Sequence, residues 1–385
     1  MRELKAYKYK LKANAKFEPA CIAALDVCRE LYNAALQERR DAYRINGISI
    51  NYHAQAVQLP QIKQIRQDVG GVHSQVLQDT LRRVDKAFDA FFRRVKNGET
   101  PGCPRFKPAS RYDSFTYPQS GFRLEGDKLH LSKIGSCRVR LSRPIEGIIK
   151  TCTIKRDVDG WYVVFAVEEN QCRFFPKTGD AVGIDVGIEN FATLSTGEVV
   201  ENPEFLRESE AELKTAQRKV SRHLKGSKRR RKAVNLLQKK HQKIRRQRAD
   251  FQHKTALNIV REFDAIAVED LNVKGMVKNH HLAKSISDAG WSQFTSILTN
   301  KAESAGRQVV KVNPSYTSQD CSQCGRRVRK TLATREHRCI NCGFVAHRDH
   351  NAALNIRERG ARASGMVPVG ESREPRISTY NAPRV

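Results

Sequence analysis

Acid is what this chain is short of: 41 Asp and Glu stand against 70 Lys and Arg, an excess of +29 on 385 residues with pI near 10. Self-repulsion of that size destabilises a compact protein unless a polyanion binds it, which excludes most metabolic enzymes and points to nucleic acid. Long apolar runs are missing too. The longest, Trp161–Val167, has seven residues, against about 20 needed to span a bilayer, so no membrane partner is expected. The opening Met1-Arg2-Glu3-Leu4-Lys5 holds no apolar stretch of the export type. Ten cysteines without an export signal read as metal ligands or buried thiols rather than disulfides. The expected location is the cytoplasm, with nucleoid association when bound. No Walker-type phosphate loop and no internal repeat occurs. With 39% hydrophobic residues the chain can nevertheless bury real cores, enough for two or three domains.

Residues 4–11 alternate apolar side chains with lysine and predict a strand. From Ile22 to Tyr43 apolar residues recur at three and four, predicting a helix that Gly47 stops, and a second helix carries Val76 to Val95. A Pro and Gly cluster over 100–108 marks a boundary. Six short strands are expected beyond it, near 115–117, 121–125, 128–133, 136–141, 148–156 and 161–168, forming a small antiparallel barrel that the first strand joins. From 180 the pattern turns to mixed α/β. Ala181–Asp185, Ala265–Glu269 and Gln308–Val312 read as buried strands, two long helices fill 203–263, a helix spans 288–305, and a last one runs over about 350–359.

Asp185 and Glu269 each end an apolar strand, where ligands of α/β sheets collect. Asp349 begins the last helix. Any one of these acids could simply cap a helix or end a strand. Three of them brought together would repel unless cations lay between, and Mg²⁺ suits a few carboxylates with waters and phosphate oxygens. Asp270 is expected on the other face. Cys321-Ser-Gln-Cys324 and Cys339-Ile-Asn-Cys342 form two knuckles whose four thiolates complete a tetrahedron around a structural Zn²⁺. The six other cysteines read mostly as core. Residues 214–254 hold 17 Lys and Arg against one acid, Asp250, a density that favours a phosphate-binding face over a solvated one. Arg326, Arg327, Arg329 and Lys330 suit further backbone contacts. Tyr112, Phe115, Tyr117 and Phe122 could stack on bases, although aromatics in a β-region are more often core. His280 and His281 read as surface loop.

The motifs Gly183-Ile-Asp185-Val-Gly187, Val268-Glu269-Asp-Leu-Asn272, Thr317-Ser-Gln-Asp-Cys-Ser-Gln-Cys-Gly325, Arg348-Asp349-His-Asn-Ala-Ala-Leu-Asn-Ile356 and Pro104-Arg-Phe-Lys107 together resemble TnpB, the OrfB-type family of insertion-sequence proteins. These are RNA-guided DNA endonucleases related to type V CRISPR effectors, and the resemblance covers the chain apart from its tail. It implies a multidomain α/β architecture: an RNase H-like RuvC nuclease domain with an inserted zinc ribbon, plus a β-barrel (wedge) domain carrying an inserted helical recognition domain. The implied bounds are wedge 1–14 and 100–178, recognition helices 15–99, and nuclease 179–317 and 347–360. The zinc-finger, target-binding insert is 318–346 and a disordered tail 361–385. Asp185, Glu269 and Asp349 would be the catalytic acids, holding two Mg²⁺ (or Mn²⁺), with Zn²⁺ on Cys321, Cys324, Cys339 and Cys342. The implied partners are guide RNA from the transposon end and double-stranded target DNA with an adjacent motif, bound by a monomer. A heteroduplex of about 20 base pairs carries about 40 phosphates, so an excess of +29 is proportionate. An unguided strand-transfer transposase and a nuclease-inactive RNA-guided repressor are the alternatives.

Overall fold

The computed structural model describes residues 3–169, 174–331 and 333–364 and divides into two compact units at residue 171. The first unit opens with β1 (Glu3–Lys12), in which Tyr7, Tyr9 and Leu11 alternate with lysines and are buried, the period-two pattern of a half-buried strand. In α1 (Phe17–Asn46), Cys21, Leu25, Cys28, Tyr32 and Leu36 form one buried stripe. The helix stops because Gly47 turns to φ 65°. Its N–H reaches Tyr43 O at 3.0 Å and that of Ile48 reaches Ala42 O at 3.2 Å, a left-handed closure that glycine adopts without strain. Three short helices, α2 (Tyr52–Ala56), α3 (Leu59–Ile65) and α4 (Gln67–Gly70), lead to α5 (Ser74–Lys96), which buries Val76, Leu77, Leu81 and Val84.

Six strands follow: β2 (Ser114–Tyr117), β3 (Phe122–Glu125), β4 (Lys128–Leu131), β5 (Gly135–Arg140), β6 (Ile148–Asp157) and β7 (Gly160–Glu169). With β1 they form an antiparallel, barrel-like sheet in the order β2-β6-β7-β1-β5-β4-β3. The first strand of the chain thus lies mid-sheet, pairing Tyr9 with Val163 on one side and Leu11 with Val139 on the other. The helices enter between β1 and its partners and share their core, where Phe17, Leu36 and Leu77 meet Phe115, Tyr117 and Phe165. Tyr112 is buried there as well and Phe122 packs against it, so these aromatics belong to the core and not to a base-stacking surface. Cys21, Cys28, Cys137 and Cys152 are buried as expected, but Cys103 is exposed because its Pro-Gly-Cys-Pro segment runs over the surface without regular structure. Cys172 lies outside the described residues.

The second unit begins with the meander β8 (Ala181–Val186), β9 (Asn190–Leu194) and β10 (Val199–Glu201). After α6 (Phe205–Glu208), α7 (Glu210–Arg222) and α8 (Lys228–Glu262) comes β11 (Ala265–Glu269). Then α9 (Val273–Met276), α10 (Ala283–Ala289) and α11 (Trp291–Ser304) lead to β12 (Gln308–Val312). A small ribbon, β13 (Glu336–Arg338) and β14 (Val345–His347), precedes α12 (Arg348–Ser364). The sheet order is β10-β9-β8-β11-β12, with β8, β11 and β12 parallel.

Strand alternation divides the apolar residues between two faces. Val182, Ile184, Ile266 and Val268 join Ile259, Phe294 and Leu298 of α8 and α11, whereas Ala267 and Val312 join Ile356 of α12. Helix α12 lies so close that a Cβ on Gly183 would sit 2.1 Å from Ala353 O, and one on Gly360 2.4 Å from the Ala267 Cβ. The helix expected around 288–305 is α11, which begins at Trp291 after Gly290 takes φ 67°. One expectation is corrected. The last helix runs to Ser364, so residues 361–364 are its final turn rather than tail, and 365–385 lie outside the described residues. Among the described residues no helix is long and apolar enough to cross a membrane.

Candidate active site and thiol cluster

Asp185 lies one residue before the end of β8, and Glu269 ends β11. The register pairs Ile184 with Val268, which puts the two acids one step further on, level with each other on adjacent parallel strands. They share the face that α12 covers, since Gly183 and Ala267, two residues back on each strand, are what α12 meets. Asp349 enters from the first turn of α12 and is buried. The structure therefore brings all three acids to one sheet end. Asp270 faces away, exposed, with Lys311 Nζ 3.4 Å distant.

The charges act on one another. Burial, then Glu269 and Asp349, pushes the Asp185 carboxyl well above its usual range, with Arg348 opposing. Burial also raises Glu269, against the Thr317 hydroxyl 2.6 Å from its Oε1 and the charge of Arg359. Asp349 accepts from Arg348 Nε at 3.0 Å, and His347 Nδ1 stands 3.9 Å from its other oxygen. A cluster that resists its own ionisation is relieved by a divalent cation, and the donor set, carboxylate oxygens alone, suits Mg²⁺.

The thiols of Cys321, Cys324, Cys339 and Cys342 lie within 4.8 Å of one another, with Cys321–Cys342 at 3.7 Å and Cys324–Cys339 at 3.6 Å. Zn–S bonds of about 2.3 Å in a tetrahedron require sulfur separations of about 3.8 Å, so the thiols are preset for zinc. Both knuckles share one backbone geometry. The N–H of Gly325 reaches Cys321 O at 2.8 Å and that of Gly343 reaches Cys339 O at 2.9 Å, with the glycines at φ 73° and 77°. The backbone N–H of Arg326 helps lower the Cys324 thiol to about 6, while, against the backbone N–H of Phe344, desolvation and the neighbouring thiols raise Cys342 to about 12. Of these two, Cys324 is therefore the first to become a thiolate. All four positions are filled by protein, the pattern of a structural site.

Other side chains around the acids carry no role in the sequence motifs. Thr317 and the helix residues Asn351 and Asn355 are buried, and Arg359 lies one further turn along. Their spacing of four, which stacks 351, 355 and 359 on one helix face, is the signal that could have found them. Lys330 is a correction. It turns inward, with Nζ 2.7 Å from Ser318 O and 2.5 Å from His337 Nδ1, and burial lowers its amine to about 8. Arg326, Arg327 and Arg329 stay exposed, Arg327 held to Asp320 at 2.9 Å. On the basic helices, Leu213, Ala216 and Val220 are buried, while Arg218, Arg222, Arg229, Arg231 and Lys232, and Lys225 in the turn between them, are exposed. His280 and His281 are exposed, as expected.

Comparison with known proteins gives the class first. A family model of the OrfB proteins, described as "Probable transposase", matches residues 164–280, and one described as "Cas12f1-like, TNB domain" matches 291–356. A third, described as "Helix-turn-helix domain", matches 1–47, which here are β1 and the unbroken α1. The solved structure of a Cas12f1-sgRNA-target DNA complex superposes with a TM-score of 0.57 at 17% identity, over 88% of this chain and 82% of that one. In fold, the chain is of the Cas12 kind. A candidate RNA-guided DNA endonuclease of Streptomyces pristinaespiralis is 34% identical over the full length of both chains. Another, InsQ of Escherichia coli (strain K12), is 30% identical over 94% of this chain and 93% of its own. The chain belongs to the TnpB family, the OrfB-type proteins of insertion sequences.

Proposed function

We propose that this chain is an RNA-guided DNA endonuclease that hydrolyses phosphodiester bonds at Asp185, Glu269 and Asp349. The observation that carries the reading is the convergence of these acids at one sheet end, where each raises the cost of ionising Asp185. Relatives matched over 93% or more of their length are described as candidate RNA-guided DNA endonucleases, which supports guidance. The sheet order β10-β9-β8-β11-β12 supports an RNase H-like, RuvC-type nuclease made of 179–317 and 347–360. Residues 318–346 are then its zinc insert, 1–14 and 100–178 the wedge, and 15–99 the recognition helices.

In this reading guide RNA from the transposon end pairs with one strand of the target, beside a short duplex motif, in a complex containing one copy of the chain. The exposed bases of α7 and α8 take backbone phosphates. Two divalent cations bound by the acids, Mg²⁺ or Mn²⁺, would supply an activated water on one side of the phosphorus and charge neutralisation of the leaving oxygen on the other. Arg348 balances Asp349, and the Thr317 hydroxyl holds one oxygen of Glu269. Cys321, Cys324, Cys339 and Cys342 would hold a Zn²⁺ that keeps the insert folded.

The test is a ribonucleoprotein purified with its co-expressed RNA and given matched duplex DNA with Mg²⁺. Asp185→Ala should retain RNA and DNA binding and lose cleavage; persistent cleavage would put the chemistry elsewhere. The description of the matched OrfB family favours a second reading, strand transfer, and covalently joined DNA products in the same assay would establish it.

A further inference from the structure

Helix α12 does more than carry Asp349. Every fourth residue after Asn351 grips the segment 313–322 that joins β12 to the first zinc knuckle. Asn351 accepts from Ser322 N–H at 3.0 Å and donates to Asp320 O at 2.8 Å. Asn355 donates to Thr317 O at 2.8 Å and Asp320 O at 2.7 Å. Arg359 donates to Asn313 O and Ser315 O, both at 2.8 Å, and meets Asp320 Oδ2 at 3.1 Å. Asn351 is 0% and Asn355 6% exposed. Because Asn351 bonds one donor and one acceptor, its amide has a single orientation. Buried amides satisfied this fully are rigid supports.

At the centre of this segment stands Thr317, 4% exposed. Its hydroxyl has one proton and two acceptors in reach, Glu269 Oε1 at 2.6 Å and Pro314 O at 3.1 Å. The shorter contact is to the carboxylate, and charge makes it the stronger bond. Four residues on, Cys321 begins the thiol cluster.

We propose that Thr317, held by Asn355 in a segment that Asn351 also clamps, is a positioning residue that fixes Glu269 for divalent-cation binding and ties the geometry of the carboxylate site to the folded zinc knuckle. This rests on the reading of Glu269 as a cation ligand. Thr317 spends its proton on one Glu269 oxygen and so limits the rotation of the carboxylate.

The experiment measures Mn²⁺ binding to the RNA-loaded protein, by the electron paramagnetic resonance of free Mn²⁺, with Glu269→Gln giving the background from RNA. Thr317→Val keeps the shape and removes the proton; it should weaken the Glu269-dependent binding roughly tenfold, the worth of one hydrogen bond to a charged group. Thr317→Ser should restore it to within about twofold, and zinc content should stay unchanged in both. Asn355→Ala, which leaves the hydroxyl but frees its segment, is the second variant and should weaken Mn²⁺ by a similar factor; it decides the matter if Thr317→Val fails to fold. Wild-type Mn²⁺ affinity in the folded variants, or a Thr317→Ser protein as weak as Thr317→Val, overturns the proposal. If Glu269→Gln itself binds Mn²⁺ like the wild type, the carboxylate reading fails, a distinct result.

Discussion

Gly183→Ala tests how tightly the acids are held, because it adds one carbon where there is no room. The new Cβ would stand 2.1 Å from Ala353 O, 2.4 Å from Arg357 N and 2.9 Å from Arg357 Cα. All three atoms are backbone of α12, so no rotamer change relieves them. Ordinary contact lies near 3.5 Å, so β8 and α12 must part by more than 1 Å. Overpacking costs about 1–3 kcal/mol, and a helix displaced as a body belongs at the upper end. Three kcal/mol lowers Tm by about 6–12 °C for a unit of this size. The effect on chemistry should be larger, since α12 carries Asp349 and a 1 Å misplacement costs about 100-fold in rate. Cleavage of matched DNA at saturating Mg²⁺, with DNA binding measured in parallel, separates the two effects. Gly102→Ala is the control: its Cβ meets nothing within 4 Å, and it should change stability by less than about 0.5 kcal/mol. A Gly183→Ala protein with wild-type Tm and cleavage rate would refute the reasoning.

An acid whose folded pKa exceeds its unfolded one destabilises the fold progressively as pH rises past the unfolded value. Asp185 is such a group, so without Mg²⁺ the protein should lose stability from about pH 4 upward into the raised range. Asp185→Asn should remove that loss, raising the Mg²⁺-free Tm at pH 7 while abolishing cleavage; a lower Tm than wild type counts against it. Cys339→Ser removes a buried thiol of the cluster and should take zinc content from one per chain to none, at a local folding cost on the order of 10 kcal/mol. Metal analysis that still finds full zinc occupancy contradicts the site. Replacing the exposed Arg229, Arg231 and Lys232 of α8 with alanine removes up to three phosphate contacts. The slope of log affinity against log salt should then become shallower by about 2–3, and an unchanged slope would mean this face does not meet nucleic acid.

The sequence pattern revealed the parts whose physics is local. Apolar strands ending in Asp185 and Glu269, the stripe of α1 up to Gly47, and the paired knuckles each depend on residues near one another in the chain. What stayed hidden depends on packing across it. The last helix is expected to end at about 359, yet α12 continues to Ser364 because the missing side chain of Gly360 is what lets the helix lie on Ala267. The short α10, set off from α11 by the left-handed Gly290, is not among the expected elements. Lys330 reads as one more phosphate contact, and only the fold shows its amine turned toward Ser318 and His337. Asn351 and Asn355 carry no expected role, because the segment they clamp is brought to them only by the fold.

These hidden contacts converge on one helix of 17 residues, and that convergence has a consequence for how the site exists at all. One face of α12 is kept small, at Ala353 and where Gly360 meets Ala267, so that it can lie on β8 and β11. Its first turn supplies Asp349, and its polar stripe holds the segment bearing Thr317 and Cys321. Undocking α12 would remove Asp349, release the hydroxyl from Glu269 and withdraw the support of the first knuckle together. The strand ends alone do not suffice: the register of β8 and β11 spaces Asp185 and Glu269 whether or not the helix is present, but only α12 brings the third acid. The carboxylate site is therefore assembled in one step by a segment some 170 positions away from Asp185 in the chain, and loss of that docking should extinguish cation binding completely rather than by degrees.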